Sequence, residues 1–187
     1  MVSPYDDPIE IVPSRHKEWR RQFETERDRV AEALSSAGLA DAVHRIDHVG
    51  STAVPDLAAK DIVDIDIVVD DDAVVEVART IETVLGGSHF ENTPLWNPVF
   101  REANGQRFND HVFGLSADGW KVSVATVAVL GEHPDRRTEY EQLKREKAST
   151  TDELEGYSQA KTACIERLLE TAQETDLGLG FDVPGSR

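Results

Sequence analysis

The sequence predicts a mixed α/β or α+β domain, and three observations carry that prediction. The run Ile62-Val-Asp-Ile-Asp-Ile-Val-Val69 is rich in β-branched residues and reads as a strand. Apolar residues recur at near-helical spacing over 14–37 (Trp19, Phe23, Val30, Leu34) and over 73–85 (Val74, Val77, Ala78, Ile81, Leu85). Asn104-Gly105 and Asp118-Gly119 are hairpin signals, and they divide the middle of the chain into a meander of strands near 97–102, 107–115 and 120–129.

The elements follow in order. Ser14 is placed to cap the first helix and Gly38 to stop it. Arg45 to Val49 alternates and predicts a short strand, and the Gly, Ser, Thr and Pro of 50–60 predict a loop. Asp70-Asp71-Asp72 offers an N-cap to the second helix, which Gly86-Gly87 closes. Two helices, about 134–148 and 156–173, finish the chain, the first with Pro134 at its opening position. With 187 residues the chain suits one domain, with a core over about 10–173 and a loose C-terminal tail.

Composition narrows the function classes. The single cysteine, Cys164, cannot form an internal disulfide. The start of the chain has no basic-then-apolar targeting pattern, and the apolar runs fall short of the roughly 18 residues of a membrane span. A soluble, cytoplasmic protein is the expectation. There are 36 acidic residues against 20 basic ones, a formal net charge of -16. Such a field repels a phosphate backbone, so a nucleic-acid partner is not expected. Arg outnumbers Lys 14 to 6, and acid excess with scarce Lys suits a halophile, since at molar salt the Debye length is about 3 Å.

The chemistry centres on Asp64 and Asp66. At i and i+2 on a strand, their side chains leave the same face with carboxylates roughly 6–7 Å apart. At an effective dielectric near 20 the two charges repel by about 2.5 kcal/mol. Taken alone, the pair fits either a solvent-facing strand or a site for a hard divalent cation such as Mg²⁺, which takes one or two carboxylates plus substrate phosphates. The preceding loop favours the second. Gly50 permits close backbone approach, Ser51 and Thr52 add hydroxyls beside exposed amides, and Lys60 stands either as a point charge for phosphates or as an ordinary strand-flanking cation.

The segment His48-Val-Gly-Ser-Thr-Ala-Val-Pro-Asp-Leu-Ala-Ala-Lys60, followed by Ile-Val-Asp-Ile-Asp, resembles the signature of the GrpB family. That family belongs to the polymerase-β-like nucleotidyltransferase superfamily, and some members are fused to dephospho-CoA kinase. Weaker likenesses lie at Tyr5 or Pro13 to Trp19, at His133-Pro134 with Tyr140 and Lys144, and at Tyr157 with Lys161. The resemblance implies a nucleotidyltransferase-like mixed sheet flanked by helices. It further implies Gly50, Ser51, Thr52 and Lys60 on phosphates, Asp64 and Asp66 on Mg²⁺, and transfer of a nucleotidyl group from an NTP to a small acceptor. The alternative it leaves open is a catalytically silent nucleotide-binding or interaction module, with a link to coenzyme A metabolism through the fusions.

The superfamily's third acid would come from a neighbouring strand, and Asp110 in Arg107-Phe-Asn-Asp-His-Val112 is the candidate, beside His111; a surface role for Asp110 is the other reading. Lys144, Tyr157 and Lys161 on the last helices either close the pocket or form surface pairs, Tyr157 and Lys161 sharing a helix face at i,i+4. The sequence departs from the family at Pro55-Asp56, where Pro-Gly is usual, and at Lys60-Asp61, where Lys-Pro is usual. Val124 to Val129 also lacks the charged residues common in relatives.

Overall fold

The computed structural model describes residues 10–149 and 154–185, with side chains described outside 147–161. Helix α1 spans His16–Ser36 and strand β1 Val43–Val49. A single 3-10 turn over Ser51–Ala53 leads toward β2, Ile62–Val69, and α2, Val74–Leu85. Strands β3 (Ser88–His89), β4 (Trp96–Ala103) and β5 (Gln106–Gly114) follow, then α3 (Asp118–Glu132), α4 (Pro134–Ser149) and α5 (Leu154–Glu174). The five strands form one mixed sheet in the order β1-β2-β5-β4-β3. Only β2 and β5 run parallel; the other neighbours are antiparallel. The fold is mixed α+β, a five-stranded sheet with helices on its faces.

The inward residues of β2, Val63, Ile65, Ile67 and Val69, pack with Trp19, Phe23, Val30 and Leu34 of α1 and with Val74, Val77, Ala78 and Ile81 of α2. Seventeen buried residues make up this cluster, so α1 and α2 cover one sheet face. A second cluster joins Ala125, Val129 and Leu130 of α3 to Cys164, Leu168 and Leu169 of α5, and seats Val54 and Leu57 of the loop after β1. That loop is therefore fixed by packing and not left to solvent. No helix among the described residues is long and apolar enough to cross a membrane.

Asn104-Gly105 makes the β4–β5 hairpin as expected, with both residues at positive φ (53° and 77°), which the two-residue turn requires. Asp118-Gly119 does not make a hairpin. The region 120–129, predicted as a third meander strand, is the body of α3. Its buried residues Trp120, Ala125, Val129 and Leu130 follow helical and not alternating spacing. Gly119 sits in the first turn because the Phe113 ring comes within 2.6 Å of where its Cβ would stand. A valine-rich run with strand propensity thus becomes a helix because the sheet face needs a cover.

The expected caps also differ. Helix α1 begins after Arg15 and α2 after Ala73, each without a side-chain cap. Asp71 instead accepts the Ser116 N–H at 2.9 Å, tying the turn after β5 to the turn after β2. The segment after α5, predicted as a loose tail, packs through Leu177, Leu179 and Val183 on the second cluster, and Phe181 meets the Trp120 ring edge-on at 4.9 Å.

Candidate functional site

Register decides which side chains meet. The parallel β2–β5 pairing sets Asp64 beside Asn109 and Asp66 beside His111, while the antiparallel β1–β2 pairing sets Asp66 beside Asp47. Neighbours across a sheet share a face. Asp47, Asp64, Asp66, Asn109 and His111 therefore converge on the α3 side of the sheet, with Arg107 two residues before Asn109 on the same face.

Asp64 is held from two directions. The Asn109 side-chain amide donates to its Oδ1 at 3.1 Å, and His111 Nε2 stands 3.9 Å from the same oxygen. Its Oδ2 lies where a Cβ on Gly50 would be, 2.3 Å from that point. Gly50 adopts φ 70°, ψ -170°, a region open essentially to glycine. The close approach that Gly50 permits is thus first to the Asp64 carboxylate.

Asp66 is fully buried, and neither carboxylate oxygen has a hydrogen-bond partner. Burial pushes its pKa well above the usual carboxylate value, and the charges of Asp64 and Asp47 add to the rise. Ser123 of α3 lies near enough to oppose the shift, but its hydroxyl donates to the Gly119 carbonyl at 3.2 Å. Asp47 is occupied by Arg45, at 2.5 and 3.0 Å. An orphaned buried carboxylate beside a half-exposed one fits a cation that shares its remaining positions with a ligand. Among the described residues no group of three or more His, Cys, Asp or Glu could hold a metal ion. A closed protein cage does not fit; a two-carboxylate site does.

Asp110 does not join this site. It lies beside Ile65 in the register and so points to the opposite face. There it is fully buried, with Arg101 Nε at 2.5 Å; Arg101 Nη1 in turn meets Glu26 of α1 at 2.5 Å, and Glu26 pairs with Arg29 at 2.8 Å. Burial raises the Asp110 pKa, with Arg101 opposing. One residue of strand offset separates a would-be ligand from a core ion pair.

The turn residues divide in the same way. Thr52 is buried, and its hydroxyl pairs with His48 Nε2 at 3.0 Å, so it braces the turn from behind. His48 stacks on Phe23 at 4.9 Å, and burial drops its pKa to about 4. Ser51 opens the 3-10 turn half-exposed, and Lys60 is half-exposed just before β2. Lys144 Nζ donates to the Ala58 carbonyl at 2.6 Å while Glu141 accepts the Ala58 N–H at 3.4 Å. Lys144 therefore clamps the loop to α4. The side chains of Tyr157 and Lys161 lie outside the described residues.

Two residues escaped the sequence reading, Asp47 and Asn109. The signal available was polar residues at every second position, Arg107, Asn109 and His111, which mark one strand face and leave Asp110 on the other. Asp61 also has a role. It accepts the Trp19 indole N–H at 2.9 Å and pairs with Arg15, anchoring the start of α1.

The GrpB protein family model matches residues 8–171. A UPF0157 protein of Deinococcus radiodurans is 31% identical over 172 residues, covering 90% of this chain and 84% of that protein. A dephospho-CoA kinase of Mycolicibacterium paratuberculosis is 30% identical over 185 residues, covering 82% of this chain but 43% of the kinase. The crystal structure of the conserved protein GrpB from Enterococcus faecalis is similar in fold, with a TM-score of 0.70 at 23% identity, over 87% of this chain and 96% of that one. A family match over most of the length, a relative above 30% identity and a shared fold together mean that the chain belongs to the GrpB family.

Proposed function

We propose that this protein binds the phosphates of a nucleotide together with a divalent cation, Mg²⁺, at Asp64 and Asp66. The observation that carries the reading is the orphaned, buried Asp66 carboxylate beside half-exposed Asp64, under the Gly50 turn. Asp64 and Asp66 would hold the cation, which would neutralise charge on the phosphate oxygens. Ser51, the backbone of the turn and Lys60 would meet the phosphates from the loop side. Asn109 keeps Asp64 oriented, and the Lys144–Ala58 contact keeps the loop in place.

Binding without chemistry is the form of this reading that the geometry favours. Asp110, the acid expected to complete a catalytic set, faces away, and Asp47 is taken by Arg45. The test is calorimetric titration of ATP and GTP with Mg²⁺, at low and at molar KCl because the acidic composition predicts folding that improves with salt. Wild type should bind, and the Asp64→Ala, Asp66→Ala double variant should not. Equal binding by both proteins ends the proposal. Pyrophosphate release with any small acceptor would instead restore nucleotidyl transfer. The partial likeness to a dephospho-CoA kinase makes dephospho-coenzyme A the first acceptor to include.

A further inference from the structure

We propose that His111 is a neutral hydrogen-bond donor to a phosphate oxygen of the ligand, with its proton fixed on Nε2 by Trp96; this rests on the phosphate reading of the site. The Trp96 indole N–H points at His111 Nδ1 at 3.3 Å. An indole nitrogen can only donate, so the nitrogen it meets must present its lone pair. A neutral imidazole has one lone pair and one N–H, which leaves the proton on Nε2. The ring is held in that orientation among Trp96 and Phe113, with centroids at 5.9 and 6.2 Å.

Among the described residues that N–H has no acceptor within hydrogen-bond distance. Asp64 Oδ1 is 3.9 Å away, beyond a hydrogen bond, and already receives the Asn109 amide. The side chain keeps 22% of its surface exposed, so the donor faces the open side of the site. His111 thus offers neither a lone pair for a cation nor a base for an acceptor hydroxyl. It offers a proton to an anionic oxygen beside Asp64, where a ligand phosphate shares the cation. Trp96 acts one step removed, as the residue that sets the tautomer.

The experiment compares wild type with His111→Gln, which keeps an N–H near the Nε2 position, and His111→Phe, which keeps a ring in the aromatic cluster without a donor. Affinities for ATP and pyrophosphate, each with Mg²⁺, should fall roughly ten- to a hundredfold in H111F and stay within about threefold in H111Q. Long-range proton–nitrogen NMR of wild type should show the Nε2–H tautomer, and Trp96→Phe should mix the two tautomers. An Nδ1–H tautomer in wild type, or equal affinity of wild type and H111F, overturns the assignment of His111 while the nucleotide reading stands. Absence of binding by wild type overturns both.

Discussion

The Gly50 backbone and the Asp64 carboxylate are so close that a methyl group on Gly50 would lie 2.3 Å from Asp64 Oδ2. Gly50→Ala therefore meets a clash and a backbone conformation worth about 1–3 kcal/mol of strain at once. The variant should lose about that much stability in urea and should lose cation-dependent nucleotide binding. A Gly50→Ala protein that binds with wild-type affinity would show that Asp64 need not sit under the turn.

Asp66 carries the opposite balance between stability and function. Its folded pKa is raised, so the folded state holds this proton more tightly than the unfolded chain. Its contribution to stability is thus present below the unfolded value near 3.8 and is lost as pH rises toward the folded value. Asp66→Asn removes the titration and should raise ligand-free stability at pH 7.5. The same variant should show no stabilisation by Mg²⁺ with ATP in thermal melts. A less stable D66N protein would contradict this account of the site.

Asp110 should behave as a core residue. Asp110→Asn leaves Arg101 and Glu26 buried with an incomplete network, and losing one partner of such a pair costs about 3–5 kcal/mol. Chemical denaturation should show that loss, while calorimetry below the unfolding transition should return unchanged nucleotide affinity. A selective loss of affinity with stability intact would return Asp110 to the site.

Asp56 takes φ 60°, a left-handed backbone that favours glycine. Relief of left-handed strain, about 1–2 kcal/mol, outweighs the added unfolded-state entropy of glycine. Asp56→Gly should stabilise the fold by about 0.5 kcal/mol, read as a shift in urea midpoint with an unchanged slope.

His48 gives the fold a pH dependence. Burial lowers its pKa from 6.5 to about 4, so between those values the unfolded chain takes up a proton that the folded chain does not. The unfolded state binds more protons there, and stability must fall as pH falls. The slope from this residue is at most about 1.4 kcal/mol per pH unit. Urea midpoints at pH 7.5, 6 and 5 should decline less steeply in His48→Gln than in wild type. Parallel curves would show that His48 does not set the slope.

Much of this was legible in the chain. Val-rich β2, the helical spacing of α1 and α2, and Asn104-Gly105 are local signals, and local sterics and burial periodicity were enough to read them. Asp64 and Asp66 were legible for the same reason, because i and i+2 on a strand share a face whatever surrounds it. Residues 120–129 were not, since a run of valines satisfies both periods until a sheet face demands a helix. The choice between Asp110 and its neighbours was also out of reach, because facing depends on the β2–β5 register, which joins residues 45 apart in sequence. The sequence by itself determined that two carboxylates stand together behind a glycine turn. The tertiary structure decided what stands beside them, Asn109, His111 and an Asp47 already paired with Arg45, with Asp110 turned away, because a one-residue step along a strand reverses the face that a side chain meets.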